Sequence, residues 1–89
     1  MPRISEFYGI VIWMYWEAGA QHHTAHFHAR HGEHHAAIGI DPLALLAGSL
    51  PPKSLGRAVE WAALHQEELL SNWQRVLAGE ALEPIAPLP

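Results

Sequence analysis

The sequence has no cysteine in 89 residues, and this absence excludes a disulfide framework, a thiolate zinc site and a cysteine nucleophile. Cationic side chains are also scarce, because five Lys and Arg stand against nine Asp and Glu, for a formal charge of -4 at pH 7. Sequence-independent binding to nucleic acid usually needs a surplus of cations. This balance therefore disfavours a nucleic-acid partner.

Long apolar runs are missing as well. The longest, residues 10–16, spans seven residues, whereas a membrane-spanning helix needs about 20. The first residues also lack the basic start and the apolar stretch of a signal peptide. We therefore expect a cytoplasmic protein without a membrane segment, folded as a single domain over residues 1–89 around one small core.

The N-terminal half carries strand patterns. Residues 7–16 are rich in β-branched and aromatic side chains, and residues 24–31 and 34–41 alternate with a period of two. These patterns predict three strands with the same boundaries. Residues 43–50 form either a short fourth strand or an irregular connector.

The C-terminal half has helical spacing instead. Apolar residues at three- and four-residue steps predict one long helix over residues 52–78, with Gly79 just beyond its end. Trp61 falls off the apolar stripe, so its ring either packs in or at the edge of the core, which is the first interpretation, or is exposed on a partner surface. Residues 80–89 contain three prolines and are expected to form an extended tail. The predicted fold class is α+β, an antiparallel sheet of three to four strands packed on one long C-terminal helix.

The hairpin at residues 24–41 has a defined register. Gly32 and Glu33 between the two alternating runs are typical of a two-residue type II′ turn. With that turn, Phe27 opposes Ile38 on the face that belongs to the core, and a slip by one residue would expose them. The opposite, polar face then carries Thr24, His26, His28, Arg30, His35 and Asp41, with Val11, Trp13 and Tyr15 beside them.

Four short segments carry a family resemblance. They are Pro2-x-Ile4-x-x-Phe7-x-Gly9-Ile10-x-Ile12-x-Met14-Tyr15, His26-Phe27-His28, Gly48-x-Leu50-Pro51 and Trp61-x-x-x-His65-x-x-Glu68-Leu69-x-x-x-Trp73. Together they resemble a small bacterial family known as domain of unknown function 4160. Its members typically have Asp-His and Pro-Pro before His-Phe-His, and a tyrosine in the hairpin. This chain lacks the aspartate and both prolines, and His31 replaces the tyrosine.

The resemblance implies a partner more than a reaction. Genes of this family often lie beside a second small domain of unknown function, number 2442, in the manner of toxin–antitoxin pairs. Some relatives are regarded as the toxin. The resemblance therefore implies a toxin-like component, whose partner is a small cognate protein encoded nearby or a second copy of the chain.

Histidine is the unusual residue type. The chain has eight histidines, seven of them between His22 and His35. His26 and His28 are two apart on a strand, so their rings leave the same face and can converge on one metal ion. Together with His35 and His23 they form a candidate metal site for Zn, Ni, Mn or Fe.

Three other hypotheses for the same residues remain open. In a metal-free enzyme, His26 and His28 would act as general acid and base and Arg30 as a phosphate clamp, on phosphodiesters such as RNA. In a non-catalytic interaction module, Trp13, Tyr15 and His35 would bind a partner. In the simplest case the histidines only solvate one face of the sheet.

Overall fold

Five antiparallel strands form one sheet whose spatial order, β1-β2-β3-β4-β5, is also the chain order. The computed structural model describes residues 3–15 and 24–89. Its elements are β1 (Arg3–Phe7), β2 (Ile10–Trp13), β3 (His26–His31), β4 (His34–Ile40), β5 (Leu43–Gly48), α1 (Pro52–Leu64) and α2 (Gln66–Ala78). The α+β class and the antiparallel sheet are confirmed. The prediction of three to four strands and one long helix is corrected to five strands and two helices.

The N-terminal strand predicted at 7–16 is in fact a hairpin. Tyr8 and Gly9 join β1 to β2 with φ angles of 50° and 77°, and two positive φ angles are the requirement of a type I′ turn. Tertiary contacts hold Tyr8 in this unusual conformation. Its hydroxyl donates to the carbonyl oxygen of Pro89 at 2.8 Å, and the guanidinium of Arg57 lies 4.2 Å from its ring centre.

The hairpin of β3 and β4 has the predicted register. Phe27 opposes Ile38, and the flanking pairs from His26 with Gly39 to His31 with His34 follow in step. Gly32 has a φ of 62°, the sign that the first central residue of a type II′ turn needs. Phe27 and Ile38 are fully buried in the core.

The C-terminal helix breaks at His65. The backbone N–H of His65 closes α1 on the carbonyl oxygens of Trp61 and Ala62, and its own carbonyl oxygen accepts from Leu69 at the start of α2. The Nδ1 atom of His65 lies 2.7 Å from a carboxylate oxygen of Glu68 in that first turn. The spacing of buried residues continues across the break. For this reason the sequence pattern predicts one helix instead of two.

Trp61 is buried, which agrees with its interpretation as a core residue and excludes the alternative of an exposed ring on a partner surface. It is fully inaccessible and packs against Phe7 and Phe27, with ring centres at 5.3 and 5.8 Å. Its indole N–H donates to the carbonyl oxygen of Ala86 at 2.8 Å. Trp61 is therefore the contact between α1, the core face of the sheet and the C-terminal residues.

Residues 80–89 cross the helices without helix or strand structure. The buried side chain of Asn72 donates to the carbonyl oxygen of Glu83 and accepts from its N–H, both at 2.9 Å. Ile85 is buried, and its N–H donates to the carbonyl oxygen of Ile4. Among the described residues, no helix is long and apolar enough to cross a membrane.

We predict that Gly48→Ala destabilises the fold. Gly48 has a φ of 72°, and an added Cβ would overlap the carbonyl oxygen of His35. The left-handed backbone alone costs an alanine about 1–2 kcal/mol, and the overlap adds to it. We expect urea denaturation to show a free energy of unfolding lower by roughly 2 kcal/mol or more.

Gly56→Ala is the matched control. Gly56 lies inside α1, where an added methyl group meets nothing within 4 Å. Alanine there is expected to raise the free energy of unfolding by about 0.5–1 kcal/mol. Equal effects of the two substitutions would contradict the assignment of Gly48 as a position without room for a side chain.

Candidate functional site

The sheet face opposite the core carries a cluster of rings, which we call the histidine face. Strand pairing brings its members together, because Trp13 of β2 opposes His28 of β3 and Arg30 of β3 opposes His35 of β4. Residues opposed across a sheet share a face. The histidine face consists of Trp13, Tyr15, His26, His28 and His35.

His28 is the centre of this cluster. Its ring lies nearly parallel to those of Trp13 and Tyr15, with ring centres at 5.5 and 4.9 Å and planes within 21°. The ring of His35 lies 5.1 Å away and that of His26 5.2 Å away, the latter edge-on. His28 is only 6% exposed. The aromatic neighbours thus cover an imidazole that the alternation pattern assigns to a polar face.

His28 and His35 are joined by a hydrogen bond. Their Nδ1 and Nε2 atoms lie 3.0 Å apart. In such a bond one nitrogen carries the proton and the other must accept it, so the bond is lost when both rings are fully protonated. His35 is exposed to solvent. A buried imidazole therefore sets the orientation of an accessible one.

His26 lies at the inner end of the cluster and is 3% exposed. Its Nδ1 atom donates to the carbonyl oxygen of Thr24 at 2.8 Å. Its ring also lies 5.1 Å from that of Trp73 of α2, a neighbour that the sequence pattern did not predict. Both His26 and His28 are buried, so the alternative in which the histidines only solvate one face of the sheet does not hold for these two rings. The catalytic role suggested for them, with Arg30, stays a prediction.

A cleft of about 210 Å³ adjoins the histidine face, lined by Arg3, Val11, Trp13 and Arg30. It lies over two directly opposed pairs, Arg3 with Trp13 and Val11 with Arg30. Arg3 forms an ion pair with Glu6, whereas the side chain of Arg30 is exposed and makes no hydrogen bond or ion pair with another described residue. The sequence pattern did not indicate Arg3, because β1 was not predicted as a separate strand.

The metal site predicted at His23, His26, His28 and His35 is only partly within the described structure. His23 lies outside the described residues. Among residues 3–15 and 24–89, no group of three or more histidine, aspartate or glutamate side chains is arranged to hold a metal ion. The site also includes His23, so metal binding stays a prediction.

The turn histidines have separate places. His31 does not join the histidine face: its Nδ1 atom bonds the hydroxyl of Ser54 in α1, and its ring packs against Gly9. His34 is exposed beside the turn. His31 therefore links the two hairpins to the first helix, which gives it a structural role.

One family model matches the chain, over residues 9–74, with the description "Domain of unknown function (DUF4160)". The chain belongs to this family. The matched region contains the whole histidine face and the break between α1 and α2, so these are features of the chain's DUF4160 domain. Searches of curated proteins and of solved structures find no match.

We predict that His28→Ala destabilises this DUF4160 domain more than His34→Ala does. The first substitution removes a buried ring with four ring neighbours and leaves a cavity, at a cost of roughly 2–3 kcal/mol. His34 is exposed, so its removal should change stability by less than about 0.5 kcal/mol. Urea denaturation of both variants measures the difference. Equal losses would show that the ring packing of His28 does not contribute.

Proposed function

We propose that this DUF4160 protein works by binding a small partner protein over its histidine face, as the toxin-like component of a two-protein system. The observation that carries the proposal is the half-buried ring of Trp13 beside the exposed His35 and Arg30. Tryptophan, tyrosine and arginine are the residues enriched at the centres of protein interfaces.

The rigidity of these rings supports the proposal. Trp13 stacks on both His28 and His35, with ring centres 5.5 and 5.2 Å away, and Tyr15 stacks on His28 as well. Side chains that are already held in place lose little conformational entropy when a partner binds. The accessible parts of Trp13, Tyr15 and His35 therefore offer a preorganised contact area.

Family membership supports the toxin-like role. The resemblance to this family implies genes arranged as toxin–antitoxin pairs, and the histidine face lies inside the matched region. A small protein encoded beside the gene is accordingly the first partner to test. A second copy of the chain is the alternative partner.

We predict that Trp13→Ala weakens the complex with the protein encoded by the adjacent gene. Loss of a central tryptophan typically lowers affinity by about 30-fold or more. Leu64→Ala is the matched control, since Leu64 is 64% exposed on α1 and lies away from the histidine face. Isothermal titration calorimetry on both variants, with folding checked by circular dichroism, measures the effect.

Tyr15→Ala provides a second variant in case Trp13→Ala does not fold. Absence of any complex with the wild-type chain would contradict the proposal. So would equal weakening by Tyr15→Ala and Leu64→Ala, because the loss would then not be specific to the histidine face. Sedimentation of the wild-type chain alone distinguishes the adjacent protein from a second copy as the partner.

A second candidate function is histidine-dependent cleavage of a phosphodiester. The hydrogen bond between His28 and His35 favours it, because an accessible imidazole oriented by a second group is a recurrent arrangement for general acid–base catalysis. Arg30, opposite His35 in the sheet, is placed to contact an anionic substrate.

We predict for this candidate that His35→Ala lowers cleavage of an RNA oligonucleotide by about 100-fold or more. Untagged protein should cleave in the presence of EDTA, with a bell-shaped dependence of rate on pH. His34→Ala should leave the rate unchanged. Cleavage that EDTA abolishes, together with stoichiometric metal in elemental analysis, would support the metal site instead, and absence of cleavage would reject the nuclease.

A further inference from the structure

The cleft beside the histidine face concentrates positive charge in an acidic protein. Two of the chain's five Lys and Arg side chains, Arg3 and Arg30, line it, although the formal net charge is -4. No acidic side chain is among the described residues that line it, and because Arg3 is paired with Glu6, Arg30 carries the unpaired positive charge. A concave site with this local charge selects an anion.

Arg30 is the group available to that anion. Its side chain is exposed, and it has no hydrogen-bond or ion-pair partner among the described residues. Its neighbours across the sheet, Val11 and His35, place it between the cleft and the histidine face. A guanidinium offers a planar pair of N–H donors that matches the two oxygens of a carboxylate.

Trp13 adds a second donor beside the same cleft. Its indole N–H is buried and has no acceptor among the described residues. Buried hydrogen-bond donors usually have an acceptor. A buried donor without an acceptor is therefore a candidate to donate to a ligand. An incoming carboxylate accepts from Arg30, and Trp13 lines the cleft next to it, so a small shift of this ring on binding would offer its N–H an acceptor.

The size and the existing ion pair favour a carboxylate side chain. Pockets for drug-sized ligands have volumes of about 300–1,000 Å³, whereas this cleft has about 210 Å³. The opposite wall already shows the pairing, because Arg3 holds the carboxylate of Glu6. The formal net charge of -4 repels a polyanion such as RNA more strongly than it repels a single carboxylate.

We propose that this cleft is the recognition pocket for one glutamate or aspartate side chain of the partner protein, held by Arg30 next to Trp13. The inference rests on the proposed function, because it names the chemistry by which a partner is anchored to the histidine face. It identifies Arg30 as a specificity residue, and an acidic segment as the part of the partner that enters.

The test uses the wild-type chain and two small peptides, acetyl-Gly-Glu-Gly-amide and its glutamine counterpart. Nuclear magnetic resonance follows the side-chain N–H signals of Arg30 and Trp13 during titration. We expect the glutamate peptide to shift both signals saturably and the glutamine peptide to shift neither. Arg30→Gln should weaken binding of the glutamate peptide at least tenfold, and Arg30→Lys should restore it only in part, because a lysine lacks the paired donors.

Lys53→Gln is the matched control, since it removes an exposed positive charge on α1, away from the cleft. Equal binding of the two peptides would overturn the inference, as would equal weakening by Arg30→Gln and Lys53→Gln. Tighter binding of an RNA tetranucleotide than of the glutamate peptide would also overturn it, in favour of phosphate as the anion.

The two proposals fail separately. If the adjacent protein binds and Trp13→Ala disrupts the complex while Arg30→Gln does not, the carboxylate pocket is wrong and the histidine face still binds. If the glutamate peptide binds through Arg30 but the adjacent protein forms no complex, the cleft is a carboxylate pocket and the proposed partner is wrong.

Discussion

The two-residue reversal at Gly32 and Glu33 decides where the side chains of β3 and β4 point. Because side chains alternate along a strand, the reversal sends Phe27 and Ile38 into the core and sends His26 and His28 to the opposite face. A shift of one residue would bury imidazoles against Trp61 and expose the apolar side chains. The histidine face and its neighbouring cleft exist only in this register.

The second face of the sheet explains why histidine suits these positions. Among the described residues, the rings of Trp13, Tyr15 and His35 pack against His28, and Trp73 of α2 packs against His26. An imidazole packs as an aromatic ring and also satisfies its nitrogens, as His26 does on Thr24 and His28 on His35. A phenylalanine could stack in the same way but could not orient the exposed ring of His35.

The features predicted from sequence are the local ones. The register of β3 and β4 follows from an alternating pattern and one glycine turn, and both signals lie within 18 residues of each other. The turn at Tyr8 and Gly9 gave a weaker signal, because a type I′ turn usually has Asn, Asp or Gly at the position that Tyr8 occupies with positive φ. Arg3 was missed for the same reason, since only the hairpin formed by that turn brings β1 to the cleft.

The remaining errors have different physical origins. The break at His65 is invisible to periodicity, because the buried positions of α1 and α2 stay in phase across it. The burial of His26 was missed because Trp73 of α2 approaches the sheet from about 47 residues further along the chain. Contacts between elements that are distant in sequence thus determine how much of the site is accessible. The strand pattern determines which residues share the face.

Partner binding and histidine chemistry need not be independent on this surface. His35 is the exposed member of the histidine pair, and Arg30 opposes it in the sheet. A protein anchored on Arg30 and Trp13 would cover His35 and exclude a phosphodiester from it, since both ligands present an anion to the same guanidinium. Binding would then inhibit any chemistry of His35 by competition alone, without a conformational change in the sheet. The close placement of these groups therefore makes a binding surface and a controlled reactive site compatible in one small domain.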